Sequence, residues 1–143
     1  MPSKITMHKI ENTIAVGATT GNSYSKAIRG KILSIKTIYS NTTHSSSSDR
    51  DVNLWEMNPE DPLVVGDALQ EILNIGDVGA DPDADNKVYY PRFPSQDITG
   101  TDVTYDGTNE IYEPFVVFGR LMLAVTAAAA GDITTVYIMV EEY

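Results

Sequence analysis

At 143 residues and without cysteine, the chain has the size of one domain, and neither disulfides nor thiolate metal sites can hold it together. A formal charge of −10 sets most of its surface against a phosphate backbone, so nucleic acid is excluded as an expected partner. Hydrophobic residues make up 42%, enough for one core, and the prominence of Ser, Thr, Val, Ile and Tyr favours strands.

The first residues, Met1-Pro2-Ser3-Lys4, lead into a polar segment with no apolar run of signal-peptide length. No stretch approaches the ~20 apolar residues of a membrane span. The expectation is a product made in the cytoplasm, with no membrane partner. From Lys4 to Val16 the apolar residues Ile5, Met7, Ile10, Ile14 and Val16 recur irregularly, which suits an extended arm or an edge strand. Gly17 to Ala27, rich in Gly, Ser and Thr, reads as a loop or linker. Residues 1–27 are therefore expected to form an extended N-terminal arm and linker, and residues 28–143 the folded domain.

Ile28 to Tyr39 reads as a strand with Leu33, Ile35, Thr37 and Tyr39 on one face and Ser34 and Lys36 on the other. The polar run Asn41 to Asp51 follows as a loop. In the next strand Val52, Leu54 and Glu56 alternate with Asn53, Trp55 and Met57, and Pro59 and Pro62 end it. Val65, Ala68, Leu69 and Ile72 have helical spacing, with Asp67 in the first turn, while Leu69, Leu73 and Ile75 also suit a strand. A short helix is expected there.

An acidic loop spans Gly76 to Asn86, and a strand from Lys87 to Tyr90 stops at Pro91. Asp106-Gly107 is the best hairpin signal, because a type I′ turn needs positive φ at both central residues. Phe115 to Thr126 is apolar on both faces, with Phe115, Val117, Leu121, Leu123 and Val125 on one and Val116, Phe118, Met122 and Ala124 on the other. That pattern predicts one central strand. Beyond the turn at Gly131-Asp132, Val136, Ile138 and Val140 alternate with Thr135, Tyr137 and Met139, so the last two strands should pair as a hairpin. Short antiparallel strands in this order imply an all-β fold, an antiparallel β-sandwich, jelly-roll-like, with at most one short helix.

No catalytic, cofactor-binding or metal-ligating residue is assigned, and no cofactor is expected. His44, Ser45 to Ser48 and Asp49 hold the letters of a hydrolytic triad, but neighbours in a loop cannot fix one another in the geometry such catalysis needs. His8 reads as an exposed polar residue. Asp77, Asp81, Asp83, Asp85 and Asn86 could turn toward one hard cation such as calcium. The EF-hand resemblance fails, since Asn86 stands at its glycine position and Arg92 at its closing glutamate; a solvated acidic loop is the plainer reading. Phosphate-binding glycine motifs and paired metal-binding histidines are absent from the sequence. The chain is expected to be no enzyme.

Charge is uneven along the chain, at about +5 through Arg50 and about −15 beyond it. Trp55, Tyr89, Tyr90, Phe93, Tyr105 and Tyr112 are the rings available for an interface or a sugar, although most such rings in a sandwich fill its core or cap its edges. Exposed strand edges in a disulfide-free sandwich favour pairing between copies.

Five stretches in order carry a resemblance. These are Gly30-Lys31-Ile32-Leu33-Ser34-Ile35, then Val88-Tyr89-Tyr90-Pro91-Arg92, then Asp97-Ile98-Thr99-Gly100, then Tyr112 to Phe118 entering Gly119-Arg120-Leu121-Met122-Leu123-Ala124-Val125, and finally Val136 to Glu142. From Gly30 onward the chain resembles small proteins encoded beside phage major capsid proteins, among them capsid decoration (cement) proteins of β-sandwich fold. The Asp77 to Asn86 insertion and the arm before Gly30 lie outside the shared pattern. The resemblance implies a virion protein that binds the outside of the major capsid protein shell as a homo-oligomer, a trimer by preference. Its alternative is a tail, fibre or receptor-binding module recognising a host glycan.

Overall fold

The computed structural model describes residues 3–40, 50–58, 68–77 and 87–143. Eleven strands are found there: β1 (Lys4–Thr13), β2 (Gly21–Tyr24), β3 (Ile28–Ser40), β4 (Asp51–Met57), β5 (Ala68–Asp77), β6 (Lys87–Tyr89), β7 (Arg92–Pro94), β8 (Tyr112–Pro114), β9 (Val116–Gly119), β10 (Leu121–Thr126) and β11 (Ile133–Glu142). No helix occurs among the described residues, and every strand pairing is antiparallel.

One sheet runs β1-β11-β3-β6, with β9 continuing the β6 position along β3, and the other runs β2-β10-β4-β5. The chain passes from one of these sheets to the other at six of its ten connections. Such a two-sheet winding is the jelly roll, the fold class expected from the strand pattern. Between the sheets lie Ile10, Ile28, Ile32, Ile35, Val136, Ile138 and Val140 from the first and Val52, Leu54, Ile72, Leu121, Leu123 and Val125 from the second. Each such side chain contributes about 1.5–3 kcal/mol by leaving water.

Within the stretch expected as an arm and linker, Lys4–Thr13 and Gly21–Tyr24 are strands of the two sheets. β1 pairs with β11 over ten residues, from Lys4 opposite Glu142 to Thr13 opposite Ile133, and β2 pairs with β10 inside the stretch read as a linker. Thr6 and His8 take half-buried inward positions near one end, and Ile10, Asn12 and Ile14 are buried. Ile5 and Met7 face outward. Apolar residues on both faces explain the irregular spacing, and the edge-strand alternative is the one realised.

In β3, Met139 pairs with Ser34 but Val140 with Ile32, so Leu33 is an extra residue and a bulge. The inward set is therefore Ile28 and Ile32 before the bulge and Ile35, Thr37 and Tyr39 after it, with Leu33 only half-buried. Gly30 sits close against the backbone of β11. A methyl group at this position would stand 2.2 Å from the Glu141 carbonyl oxygen.

The expected helix around residues 65–73 is strand β5 over its described part. Ten residues of β5 oppose seven of β4 because Leu69, Ile72 and Ile75 are each skipped in the register. Bulges every third residue place apolar side chains at a spacing of three, which mimics a helix.

Phe115 to Thr126 is not one strand. It breaks at Gly119, whose φ of +142° suits glycine alone, so β9 stays in the first sheet while β10 becomes a central strand of the second. Accordingly β10 and β11 form no hairpin, and the turn between them crosses the sandwich.

At that crossing Arg50 and Asp132 are sealed from solvent, with Arg50 Nη2 2.9 Å from Asp132 Oδ2. Arg50 Nη1 also donates to the Ile133 carbonyl and to Thr134 Oγ1, each at 3.2 Å, and its guanidinium lies 5.6 Å from the Tyr39 ring centre. Asp132 Oδ2 accepts the Ala129 N–H at 2.9 Å, and the Asp132 carbonyl accepts the Ile14 N–H. Replacing Asp132 by Ala would leave a buried cation without its counter-charge, at an expected cost of about 3–5 kcal/mol. Urea unfolding followed by Trp55 fluorescence measures it, and an unshifted midpoint would show that the pair does not hold the sandwich. By the same assay Gly119→Ala should cost about 1–3 kcal/mol through backbone strain.

Candidate interaction surface

The connection from the first sheet to β9 carries a projecting arm. β7 and β8 pair at its base through Arg92–Pro114, Phe93–Glu113 and Pro94–Tyr112. Farther out, Ser95 N–H donates to the Ile111 carbonyl at 2.7 Å and Val103 N–H to the Ser95 carbonyl at 2.8 Å. Ile111 N–H closes the set on the Val103 carbonyl at 3.2 Å. Bridges Gln96–Asp102 and Thr104–Glu110 then define two turns.

Each turn is organised by a carboxylate. Asp97 Oδ1 accepts Thr99 N–H at 2.8 Å, Thr99 Oγ1 at 2.6 Å and Thr101 N–H at 3.1 Å. Asp106 Oδ1 accepts Thr108 N–H at 2.9 Å and Asn109 N–H at 2.6 Å. The Thr99 hydroxyl foremost, with backbone amides behind it, holds the Asp97 carboxyl below its ordinary range; for Asp106 the Asn109 amide is the main cause. A hairpin at Asp106-Gly107 is present, but not as type I′, since Gly107 has φ +84° and Asp106 does not have a positive φ. The Asp106 side chain closes a longer loop instead.

The structure divides the rings that the sequence singled out. Phe93 packs on the core with its ring 5.2 Å from that of Phe115, and Trp55 and Tyr89 are half-buried. Tyr90, Tyr105 and Tyr112 are exposed, as are Ile98 and Ile111. Tyr112 donates its hydroxyl to Glu110 Oε2 at 3.0 Å, and this bond, reinforced by the carboxylate charge, raises the phenol above its usual range. The arm is acidic, with Asp97, Asp102, Asp106, Glu110 and Glu113 against Arg92.

A second surface lies on the outer face of the first sheet. Met7, Ser34, Lys36, Ile38, Val88, Tyr137 and Met139 line a groove of about 470 Å³. Cross-strand registers build it, with Met7–Met139–Ser34 in one row and Lys9–Tyr137–Lys36–Val88 in the next. The Lys9 ammonium stands 5.9 Å from the Tyr137 ring centre, and Arg29 lies 4.9 Å from that of Phe118. The sequence reading missed this groove, because its residues come from four strands. One signal was present: Tyr137 and Met139, set among Val136, Ile138 and Val140, leave the middle of β11 apolar on both faces.

His8 is half-buried rather than exposed, with Nε2 2.8 Å from Glu142 Oε1. That contact first, then the Thr6 hydroxyl, holds the Glu142 carboxyl below its usual range. The His44 to Asp49 stretch and the calcium reading at Asp81 to Asn86 lie outside the described residues. Among the described residues no three His, Asp or Glu side chains gather as a metal site, and no helix is long and apolar enough to cross a membrane. Compared with known proteins, the chain matches no family model, no curated protein and no solved structure.

The lowered carboxyls of Asp97 and Asp106 give the arm a pH dependence of definite sign. Their stabilisation is present above the unfolded aspartate value of about 3.9 and is lost as pH falls through the lower folded values. Amide NMR signals of Thr99, Thr101, Thr108 and Asn109 should hold their positions to below about pH 3.9 and move only under more acid conditions. Movement at higher pH would mean that the carboxylates do not cap these turns.

Proposed function

We propose that the chain is a non-enzymatic structural protein of a phage virion, binding the outer surface of the major capsid protein shell as a homotrimer and stabilising it. The observation that carries this reading is the jelly roll with an arm whose turns are fixed by Asp97 and Asp106. The fold is used widely in viral shells and in lectins, and fold alone fixes no function. The arm adds specificity. Its turns are pre-ordered, so Tyr105 and Tyr112 meet a partner with little further loss of freedom, and such rings dominate interface energies. The resemblance noted from Gly30 onward supplies the shell as the partner.

The same exposed rings favour a second reading, a tail, fibre or receptor-binding module that stacks them on a host glycan. Co-sedimentation with purified shells and with free capsid subunits separates the two. Shell association is expected, and Tyr105→Ala and Tyr112→Ala should each weaken it by about tenfold while leaving the unfolding midpoint in place. Association with neither shells nor subunits would sink the proposal, and a ring-dependent signal on a glycan array would replace it with the second reading.

A further inference from the structure

The outer groove and the arm are complementary, and both belong to this chain. Met7, Ile38, Val88, Tyr137 and Met139 give the groove apolar walls, and Lys9 and Lys36 stand in the row beside its centre. Around it the outer face carries Lys9, Arg29, Lys31 and Lys36 against Glu11 and Glu141, a positive region on a chain of charge −10. Lys9 stands 3.5 Å from Glu11 and Lys31 3.2 Å from Glu141, so Arg29 and Lys36 carry the excess positive charge, and that excess beside apolar area suits an occupant that brings carboxylates around an apolar tip.

The first turn of the arm has that form. Ile98 stands at its tip with relative exposure of 105%, fully out in solvent, and it lies between Asp97 and Asp102, which close the turn. The hydrogen bonds to Asp97 fix the turn, so Ile98 is presented without a large loss of freedom on burial. The second turn, with Tyr105, remains available to another partner.

We infer that the Ile98 turn of one copy seats in the outer-face groove of a second copy, with Asp97 and Asp102 facing Lys9 and Lys36. Two different surfaces meet, so the contact is head-to-tail and closes into a ring when the rotation between copies permits. It gives the oligomer proposed above its interface, and in that respect rests on that reading. Apolar burial holds the contact and the charges fix its direction and speed.

Complementation between two single variants tests this, using the full chain in native mass spectrometry and sedimentation velocity. Val88→Asp places a charge in the groove, and Ile98→Asp places one on the tip. Both positions are exposed, so folding should be retained, and an unchanged urea midpoint checks it. Each variant alone should self-associate at least about tenfold more weakly than the parent chain. Mixed together they should form a one-to-one heterodimer and nothing larger, since the mixture retains one intact groove and one intact tip.

A parent chain that stays monomeric at micromolar concentrations would overturn both this interface and the homotrimer. An oligomer that survives in both variants, or a mixture that gives no heterodimer, would overturn the interface alone. Shell co-sedimentation by the parent chain is read separately.

Discussion

The jelly roll is tied together at one end by a buried ion pair, that of Arg50 and Asp132. Arg50 immediately precedes β4 of the second sheet, and Asp132 immediately precedes β11 of the first, so their contact bridges the layers where the chain crosses between them. Burying two charges is expensive, and the arrangement is tolerable because further hydrogen bonds engage several of the remaining donors and acceptors. Arg50 reaches the Ile133 carbonyl and Thr134, while Asp132 takes the Ala129 amide and its backbone takes that of Ile14. The end of β1 and the starts of β4 and β11 therefore meet at one place. Apolar packing supplies most of the stability, but it is non-directional. The ion pair supplies direction.

Curvature is handled by irregularities in the strands. The bulge at Leu33 changes the inward parity of β3 halfway along, so that one strand faces the core on both sides of a bend. Three bulges let ten residues of β5 follow seven of β4. At Gly119 the chain leaves the first sheet for the second without a long loop, which requires a backbone conformation open to glycine alone. These three devices let two sheets wrap one core.

Function is read from what the core leaves outside. The arm and the outer face of the first sheet each combine apolar side chains with charge of one prevailing sign, and the signs are opposite. That separation gives a spatial form to the charge imbalance along the chain, since β1 and β3 supply the basic face while the arm belongs to the acidic remainder. Attraction of this kind is screened by salt and weak for each exposed pair, about 0–1 kcal/mol. It orients partners more than it holds them. In the proposed contacts the rings and aliphatic tips would provide the holding energy.

The sequence by itself determined the all-β class and the buried faces of its regular strands, because alternation with a period of two is a local property. Val52, Leu54 and Glu56 in β4 and Val136, Ile138 and Val140 in β11 are buried as their alternation requires. Tertiary structure alone decided which sheet each strand joins, the place of the bulges in β3 and β5, the sheet change at Gly119, the partner of Arg50 and the assembly of the outer groove. An irregular strand such as β1 or β5 hides its face from a periodic reading, since outward apolar residues and skipped positions break the period. A period of two reports which side chains share a face and carries no information about the neighbouring strand. That choice is made by contacts between residues far apart in sequence, as between Arg50 and Asp132, where burial turns a pair of ordinary surface charges into a fixed point of the fold.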